Sequence, residues 1–246
     1  MKLFQYWDTG SPPDEVAGWI EGFRVKNPEL KHRLFDRDSA SWFIRKHLGE
    51  RYQRAFDACA VPSMQSDYIR ICAVEVMGGV YADADLQCLQ PLNGFIERAP
   101  RSLMLSWGKQ LLHSFMMMRE AHDPLISASL ELVTRNIEER RFTSAYTATG
   151  PAILNAIRGL VYPGSLEKIF PILDNPVCRS WDFPGLVEFS REVVSVTPEL
   201  QQSLADLTVI RSVDALPWIG TEQPAYKETD AHWLTWNGPI YRDVAL

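Results

Sequence analysis

The stretch Pro62–Met77 constrains this chain more than any other. Met64, Tyr68, Ile69, Ile71, Cys72, Val74, Val76 and Met77 surround most of the circumference of a helix, and a helix that is apolar nearly all round is a buried one. Ser66, Arg70 and Asp67 fall at about 0°, 40° and 100° around that helix, a single polar stripe, while Glu75 stands apart at about 180°. Buried charges need partners, so the stripe must face an ion-pair network or a polar cavity. Gly78-Gly79 ends the helix, and Val80–Leu86 continues as a short extended run.

The surrounding pattern alternates strand and helix. Leu3–Trp7 is aromatic-rich and closed by Thr9-Gly10-Ser11-Pro12-Pro13, as a strand is. Val16, Trp19, Ile20 and Phe23 then recur at helical spacing until Asn27-Pro28 stops them. Lys31–Asp36 reads as a weak strand, followed by a helix capped by Asp38 or Ser39 that runs to about Leu48 with Trp42, Phe43 and Leu48 on its buried side. Ser102–Trp107 and Leu111–Met118 read as strands, and helices open at Asp123-Pro124 and at Thr149-Gly150-Pro151. Ile169–Leu173 suits a strand or a helix, and the remainder to Leu246 is weakly patterned. There is no internal repeat and no low-complexity linker.

Composition narrows the function. Lys+Arg minus Asp+Glu is 25 − 31 = −6, which offers no field for nucleic acid. The first residues lack the apolar core of a signal peptide, and no stretch reaches the roughly 18 apolar residues of a membrane span, so the expectation is a soluble cytoplasmic protein. Cys59, Cys72, Cys88 and Cys178 form no CxxC pair and read as buried thiols.

Asp83 and Asp85 carry the sharpest chemical signal. Two carboxylates at i and i+2 diverge on a helix, but at the end of a strand they share a face and can converge on one hard cation such as Mg²⁺ or Mn²⁺. The preceding helix and Gly-Gly turn bring the Ser66/Asp67/Arg70 stripe to the same sheet edge, where open α/β folds place ligands. A metal-dependent phosphohydrolase also uses Asp-x-Asp, but after its first strand and trailed by Gly-Thr or Thr; here the pair comes later and is trailed by Leu86-Gln87.

The run Ser66-Asp67-x-x-Arg70, Gly78-Gly79-Val80-Tyr81-x-Asp83-x-Asp85 and Pro91-Leu92 resembles the signature of the DXD sugar transferases of glycosyltransferase family 32, which include fungal mannosyltransferases and bacterial capsule enzymes. It is also similar to the glucosyltransferase domain of the large clostridial toxins. Gln5-x-Trp7, Thr149-Gly150-Pro151 and His232-Trp233-x-x-Thr235-Trp236 extend the likeness more thinly. The resemblance implies an α/β fold of GT-A type, a Rossmann-like mixed central sheet flanked by helices in one domain spanning 1–246. Residues 1–110 would form the nucleotide-sugar half, and 111–246 the acceptor half with a C-terminal closing segment.

It further implies a divalent metal, Mn²⁺ or Mg²⁺, and a UDP- or GDP-linked hexose transferred with retention to a glycan, glycolipid or polysaccharide acceptor. In that pattern Asp85 is the first metal ligand and Asp83 its helper, with His232 either completing the shell or packed as a structural histidine. Asp67 and Arg70 would hold donor-sugar hydroxyls, or else form an i,i+3 ion pair that orients the helix. Trp7 is either a base platform or core; Gly79 supplies close approach to the donor or backbone freedom, and Tyr81 is a donor contact or a packed strand residue. Thr235 offers a hydroxyl to the β-phosphate, and Trp236 lines the donor pocket or anchors the tail. Relatives usually carry Asn near Leu112-His113-Ser114, where this chain has His113. Thr149-Gly150-Pro151 could greet a phosphate or an acceptor hydroxyl at a helix N-terminus, or simply begin that helix.

No catalytic base is assigned, because neither a covalent nor a front-face route is selected by these residues. The competing readings are a non-catalytic carbohydrate-binding protein, which would ignore UDP and GDP, and a protein-glycosylating toxin-like effector. An acceptor on a lipid carrier would require peripheral membrane contact, for which no strong basic amphipathic helix is evident.

Overall fold

The computed structural model describes residues 1–168, 182–220, 222–228, 236 and 238–244. Strand β1 (Lys2–Tyr6) leads through α1 (Asp14–Lys26) to β2 (Lys31–Phe35), which is followed by helices α2 (Arg37–Leu48), α3 (Glu50–Ala58) and α4 (Pro62–Met77). Next come β3 (Gly79–Ala82), the short β4 (Gln87–Cys88), the single turn α5 (Asn93–Ile96) and the hairpin of β5 (Ser102–Trp107) and β6 (Gln110–Met118). Helices α6 (Pro124–Glu138), α7 (Ala145–Ala148) and α8 (Ala152–Val161) lead to a 3₁₀ turn at Pro163–Lys168. Helices α9 (Phe183–Val193) and α10 (Pro198–Asp206), strand β7 (Leu207–Arg211), the turn α11 (Ser212–Ala215) and β8 (Ile219–Gly220) follow, with a 3₁₀ turn at Ala225–Glu228.

The central sheet has the order β2-β1-β3-β6-β5-β7, and β4 pairs with β8 beside it. β1 is parallel to β2 and β3, β5 is parallel to β7, and β6 runs antiparallel to both its neighbours. Side chains alternate across the pleat as the two-residue strand period requires. Phe4, Tyr81, Met116 and Met118 join the larger apolar cluster beneath α2, α3, α4, α6 and α8. Leu3, Val80, Ala82, Phe115 and Met117 enter the other cluster with Phe23 and Phe95. Both faces of the sheet are covered, which is why its strands are near-continuously apolar.

Helix α4 has the bounds its sequence pattern predicts, and Met64 to Val74 are buried, Ser66 excepted. Its Glu75 finds partners away from the stripe: Ser127 donates to both carboxylate oxygens at 3.0 and 2.9 Å, and His122 Nδ1 lies 3.0 Å away. Glycine is required at the turn that follows. Gly79 has φ +99°, and a Cβ there would sit 2.7 Å from the Lys2 carbonyl; Gly78 has φ +57° with Met118 O at 3.0 Å. The pair thus lets β3 slide against β1 with no side chain between them.

Several expectations are corrected. The cap of α2 is Asp36, whose carboxylate accepts from Ser39 N at 2.8 Å, while Ser39 Oγ accepts from Asp36 N at 3.0 Å, a reciprocal capping box. Trp42 is 56% exposed and lies against the Lys46 ammonium, so the buried face of α2 is Ala40, Phe43 and Ile44 instead. The extended run ends at Ala82, and Asp83–Leu86 form a turn closed by Leu86 N donating to Asp83 O at 3.1 Å. The weakly patterned C-terminal region supplies the edge strand β7, paired from Ser102↔Leu207 to Ser106↔Arg211. Ile169–Leu173 and Cys178 lie outside the described residues, while Cys59, Cys72 and Cys88 are buried free thiols as expected.

Candidate functional site

The C-terminal ends of the parallel strands β1 and β3 open onto a cavity of about 470 Å³. Trp7 and Asp8 come from the end of β1, Asp83 and Asp85 from the turn after β3, and Ser66, Asp67 and Arg70 from the polar stripe of α4. Leu112, His113 and Ser114 of β6 and Tyr146 of α7 close one side, and the segment Glu222–Lys227 closes another. This is the crevice at strand ends where open α/β sheets take their ligands.

Arg70 is the organising charge. The residue is only 4% exposed. Nη2 donates to Asp83 Oδ1 at 2.7 Å and to Ser66 Oγ at 3.0 Å, and lies 3.1 Å from Asp67 Oδ1. Below it, the Tyr81 ring stands 4.9 Å from the guanidinium carbon, and the Tyr81 hydroxyl shares a 2.8 Å hydrogen bond with Ser66 Oγ. Tyr81 is fully buried and does not line the cavity, so the structure gives it the packed role, that of a shelf for Arg70. Gly79 likewise acts through backbone approach to β1 and does not line the cavity.

Asp67 is buried and held from three directions. Thr149 Oγ1 donates to its Oδ2 at 3.0 Å, Arg70 takes Oδ1, and His113 Nε2 stands farther from Oδ1 at 3.5 Å. Burial raises the Asp67 carboxyl above its ordinary range, against the opposing pull of Arg70 and Thr149. Burial and the neighbouring Arg70 hold His113 well below the usual imidazole range, so it is neutral. Its Nδ1 is buried with no hydrogen-bond partner among the described residues. The amides of Thr149 and Gly150 both donate to Ala145 O at 3.0 Å, which closes α7, while the Thr149 hydroxyl goes to Asp67.

The two aspartates of the motif have unlike surroundings. Burial pushes Asp83 up to about 7, opposed by Arg70 and assisted by the nearby charges of Asp85 and Asp67. Asp85 is desolvated too, but Lys227 Nζ at 2.8 Å and the Tyr226 hydroxyl at 2.7 Å, both on Oδ2, hold it below its ordinary value. Neither Tyr226 nor Lys227 is legible as a site residue in the sequence: Tyr226 stands 141 positions from Asp85, and nothing local marks either of them.

Trp7 lines the cavity and meets Tyr226 edge to face, with ring centroids 5.2 Å apart. Trp236 is 37% exposed, donates from Nε1 to Pro239 O at 3.3 Å and does not line the cavity. His232 and Thr235 lie outside the described residues.

Among the described residues no group of three or more His, Cys, Asp and Glu side chains converges as a closed metal cage. The cavity nonetheless suits an open hard-cation site. Asp8, Asp67, Asp83, Asp85 and Glu222 line it against the cations Arg70 and Lys227, so carboxylates outnumber fixed positive charges. Mg²⁺ and Mn²⁺ are commonly held by one or two carboxylates, with water and phosphate oxygens filling the remaining positions.

Residues 13–102 match the family model described as a glycosyltransferase sugar-binding region containing a DXD motif. The chain is 25% identical over 96 residues to an uncharacterized glycosyltransferase, L373, of Acanthamoeba polyphaga mimivirus, covering 38% of each chain. It is 24% identical over 101 residues to the initiation-specific alpha-1,6-mannosyltransferase of Schizosaccharomyces pombe, covering 39% of this chain and 26% of that one. The matched stretches thus span well under half the length of these curated relatives. Among solved structures, the PaToxG glycosyltransferase is similar with a TM-score of 0.53 at 12% identity, over 83% of both chains, a likeness of fold. The resemblance to DXD sugar transferases and the mixed α/β architecture of GT-A type are both borne out.

Proposed function

We propose that this chain, which carries the DXD sugar-binding region over residues 13–102, is a metal-dependent retaining glycosyltransferase that moves a hexosyl unit from a UDP- or GDP-linked donor to a glycan, glycolipid or polysaccharide acceptor. The observation that carries this reading is the charge of the cavity. Five lining carboxylates against Arg70 and Lys227 would repel a diphosphate, so an anionic donor needs a further cation, and Asp83 and Asp85 are poised to hold one. When bound there, a divalent cation supplies Lewis-acid charge against the leaving diphosphate as the glycosyl bond breaks.

The chain's own residues then divide the work. Asp85 is the principal metal ligand and Asp83 the second, its carboxylate fixed by Arg70 at 2.7 Å. Asp67 accepts from donor-sugar hydroxyls with the lone pairs that Thr149 and Arg70 leave. Arg70 is chiefly a positioning residue, since its Nη2 already serves Ser66, Asp67 and Asp83. Trp7 presents an aromatic edge of the cavity to the nucleotide base. Residues 1–110 act mainly on the donor, and 111–246 supply the acceptor side and closure, with His232 and Thr235 assigned by family pattern to the metal shell and the β-phosphate.

Calorimetric titration with UDP and GDP, with and without Mn²⁺, tests the reading on the wild-type chain and Asp85→Ala. One nucleotide should bind in the presence of metal and lose at least about tenfold in affinity without it or in the variant. Binding that ignores both metal and Asp85 would refute the metal assignment. Absence of any nucleotide binding, with free sugars still bound, would make the protein a carbohydrate binder.

A further inference from the structure

Strand β5 runs parallel to β1 and β3, because β6 is antiparallel to both β3 and β5. Its last residue, Trp107, therefore stands at the sheet edge onto which the cavity opens. In the order β1-β3-β6-β5 it lies three strand spacings from the end of β1, roughly 14 Å along that edge. The hairpin register sets its face. Trp107 pairs with Gln110 and Leu105 with Leu112, so Trp107 and Leu112 are diagonal neighbours on one face, about 7–8 Å apart. Leu112 lines the cavity beside His113, whose Nε2 approaches Asp67. Trp107 is the next aromatic surface outward from that wall.

A single exposed aromatic residue needs no explanation by itself. Trp107 differs from the other strongly exposed tryptophan, Trp42, in place and in setting. Trp42 is 56% exposed and has the Lys46 ammonium against its ring. Trp107 is 63% exposed, and among the described residues its indole has no hydrogen-bond, aromatic or cation partner. The hairpin that carries it is firmly held. Asn155 Oδ1 accepts from Leu111 N at 2.9 Å, Asn155 Nδ2 donates to Leu111 O at 3.0 Å, and Arg158 donates to Lys109 O within the turn. An open ring on a pinned hairpin is preorganised, so a ligand that stacks there has little left to order.

We propose that Trp107 is an acceptor platform that stacks on a neutral sugar ring of an oligosaccharide acceptor, at least one unit removed from the hydroxyl that is glycosylated. The inference rests on the transferase reading above, in which the donor extends from Trp7 over Asp83 and Asp85 to Asp67. Trp107 lies past the sugar end of that donor. A pyranose presents a face of C–H bonds that packs on an indole, while the indole N–H donates to a hydroxyl. A bilayer suits this edge less well. The tip offers one ring between the buried Ser106 and the turn Gly108-Lys109, and the adjoining cavity carries five carboxylates in a chain of net charge −6, which anionic headgroups repel.

The test is binding of the full chain, with Mn²⁺ and UDP or GDP, to an array of manno-, gluco-, galacto- and chito-oligosaccharides of one to six units. Wild type should retain at least one series from two units upward and bind its monosaccharide at least about tenfold more weakly. Trp107→Ala should lose about tenfold on the longer sugars and Trp107→Phe less than about threefold, because phenylalanine keeps a ring. Equal retention by wild type and Trp107→Ala, or no sugar retained by wild type, overturns the platform. Sedimentation with phosphatidylglycerol vesicles that Trp107→Ala abolishes also overturns it, and makes the tip a membrane contact.

Nucleotide affinity, measured by calorimetry on the same chains, separates this inference from the reading beneath it. Nucleotide bound while sugar binding ignores Trp107 overturns the platform alone. No nucleotide bound, with sugar binding that depends on Trp107, overturns the transferase and leaves Trp107 as a saccharide contact.

Discussion

Asp83 and Asp85 lie two residues apart, yet they are held by different parts of the molecule in different ways. Asp83 meets Arg70, a residue 4% exposed on a core helix, supported from below by the fully buried Tyr81 and tied to Ser66. Asp85 meets Lys227, an ammonium on a partly exposed segment that follows the last strand. The first belongs to the fold, because Arg70 also holds the buried Asp67, and removing either of those charges strands the other in low dielectric. The second faces water on one side and exchanges partners cheaply.

The largest effect that would break this contrast is on stability. Arg70→Met leaves the buried Asp67 without its cation, and should lower the free energy of unfolding by about 3–5 kcal/mol in urea titrations. Lys227→Met, measured alongside, should change it by less than about 1 kcal/mol. Similar losses for the two variants would show that the tail pair is as structural as the core pair.

A smaller effect sharpens the Arg70 side. Thr149 Oγ1 donates to Asp67 Oδ2 at 3.0 Å within a buried contact. Thr149→Val keeps the shape and removes the donor, which should cost about 1.5–3 kcal/mol of stability, the range of a hydrogen bond to a charged group. The same variant should weaken donor binding, because Asp67 then turns toward Arg70 alone. A loss of stability with nucleotide-sugar affinity intact would confine Thr149 and Asp67 to scaffolding.

The same contrast explains what the sequence makes legible. Helix α4 could be read to its ends, and Ser66, Asp67 and Arg70 could be placed on one stripe, because helical period acts within a turn or two. The Asp-x-Asp pair could be placed beside them because only a Gly-Gly turn and one short strand intervene. The run from Val80 was expected to stay extended to Leu86, whereas the strand ends at Ala82 and Asp83–Leu86 form a turn. Trp42 shows the same limit, since its apolar ring lies on the exposed face of α2 beside the Lys46 ammonium. Lys227, Tyr226 and Thr149 were illegible as partners of Asp85 and Asp67. Those contacts are set by how distant elements pack, and one lysine in an unpatterned tail looks like any solvated charge. β7 escaped for a related reason: an edge strand half open to solvent carries little apolar alternation.

The smallest effect concerns His113, which tests how fully Arg70 commands Asp67. Its Nε2 lies 3.5 Å from Asp67 Oδ1, too far for a good hydrogen bond, and Arg70 holds that same oxygen at 3.1 Å. The imidazole therefore gains no carboxylate of its own, and burial and Arg70 depress its affinity for protons well below the ordinary value of 6.5. The sign follows from linkage. Above about pH 6.5 His113 is neutral folded and unfolded and contributes nothing to the slope; below it the unfolded chain takes up a proton that the folded chain refuses, so stability falls as pH falls. That loss approaches about 1.4 kcal/mol per pH unit for one proton. His32 and His47 are depressed as well, so the wild-type slope alone is not diagnostic. The difference between wild type and His113→Asn isolates the one residue, and urea unfolding from pH 7 to pH 5 should show the variant losing less stability. Parallel slopes would mean that His113 shares the Asp67 charge and is protonated in the fold, and Arg70 would then not be the sole cation of that carboxylate.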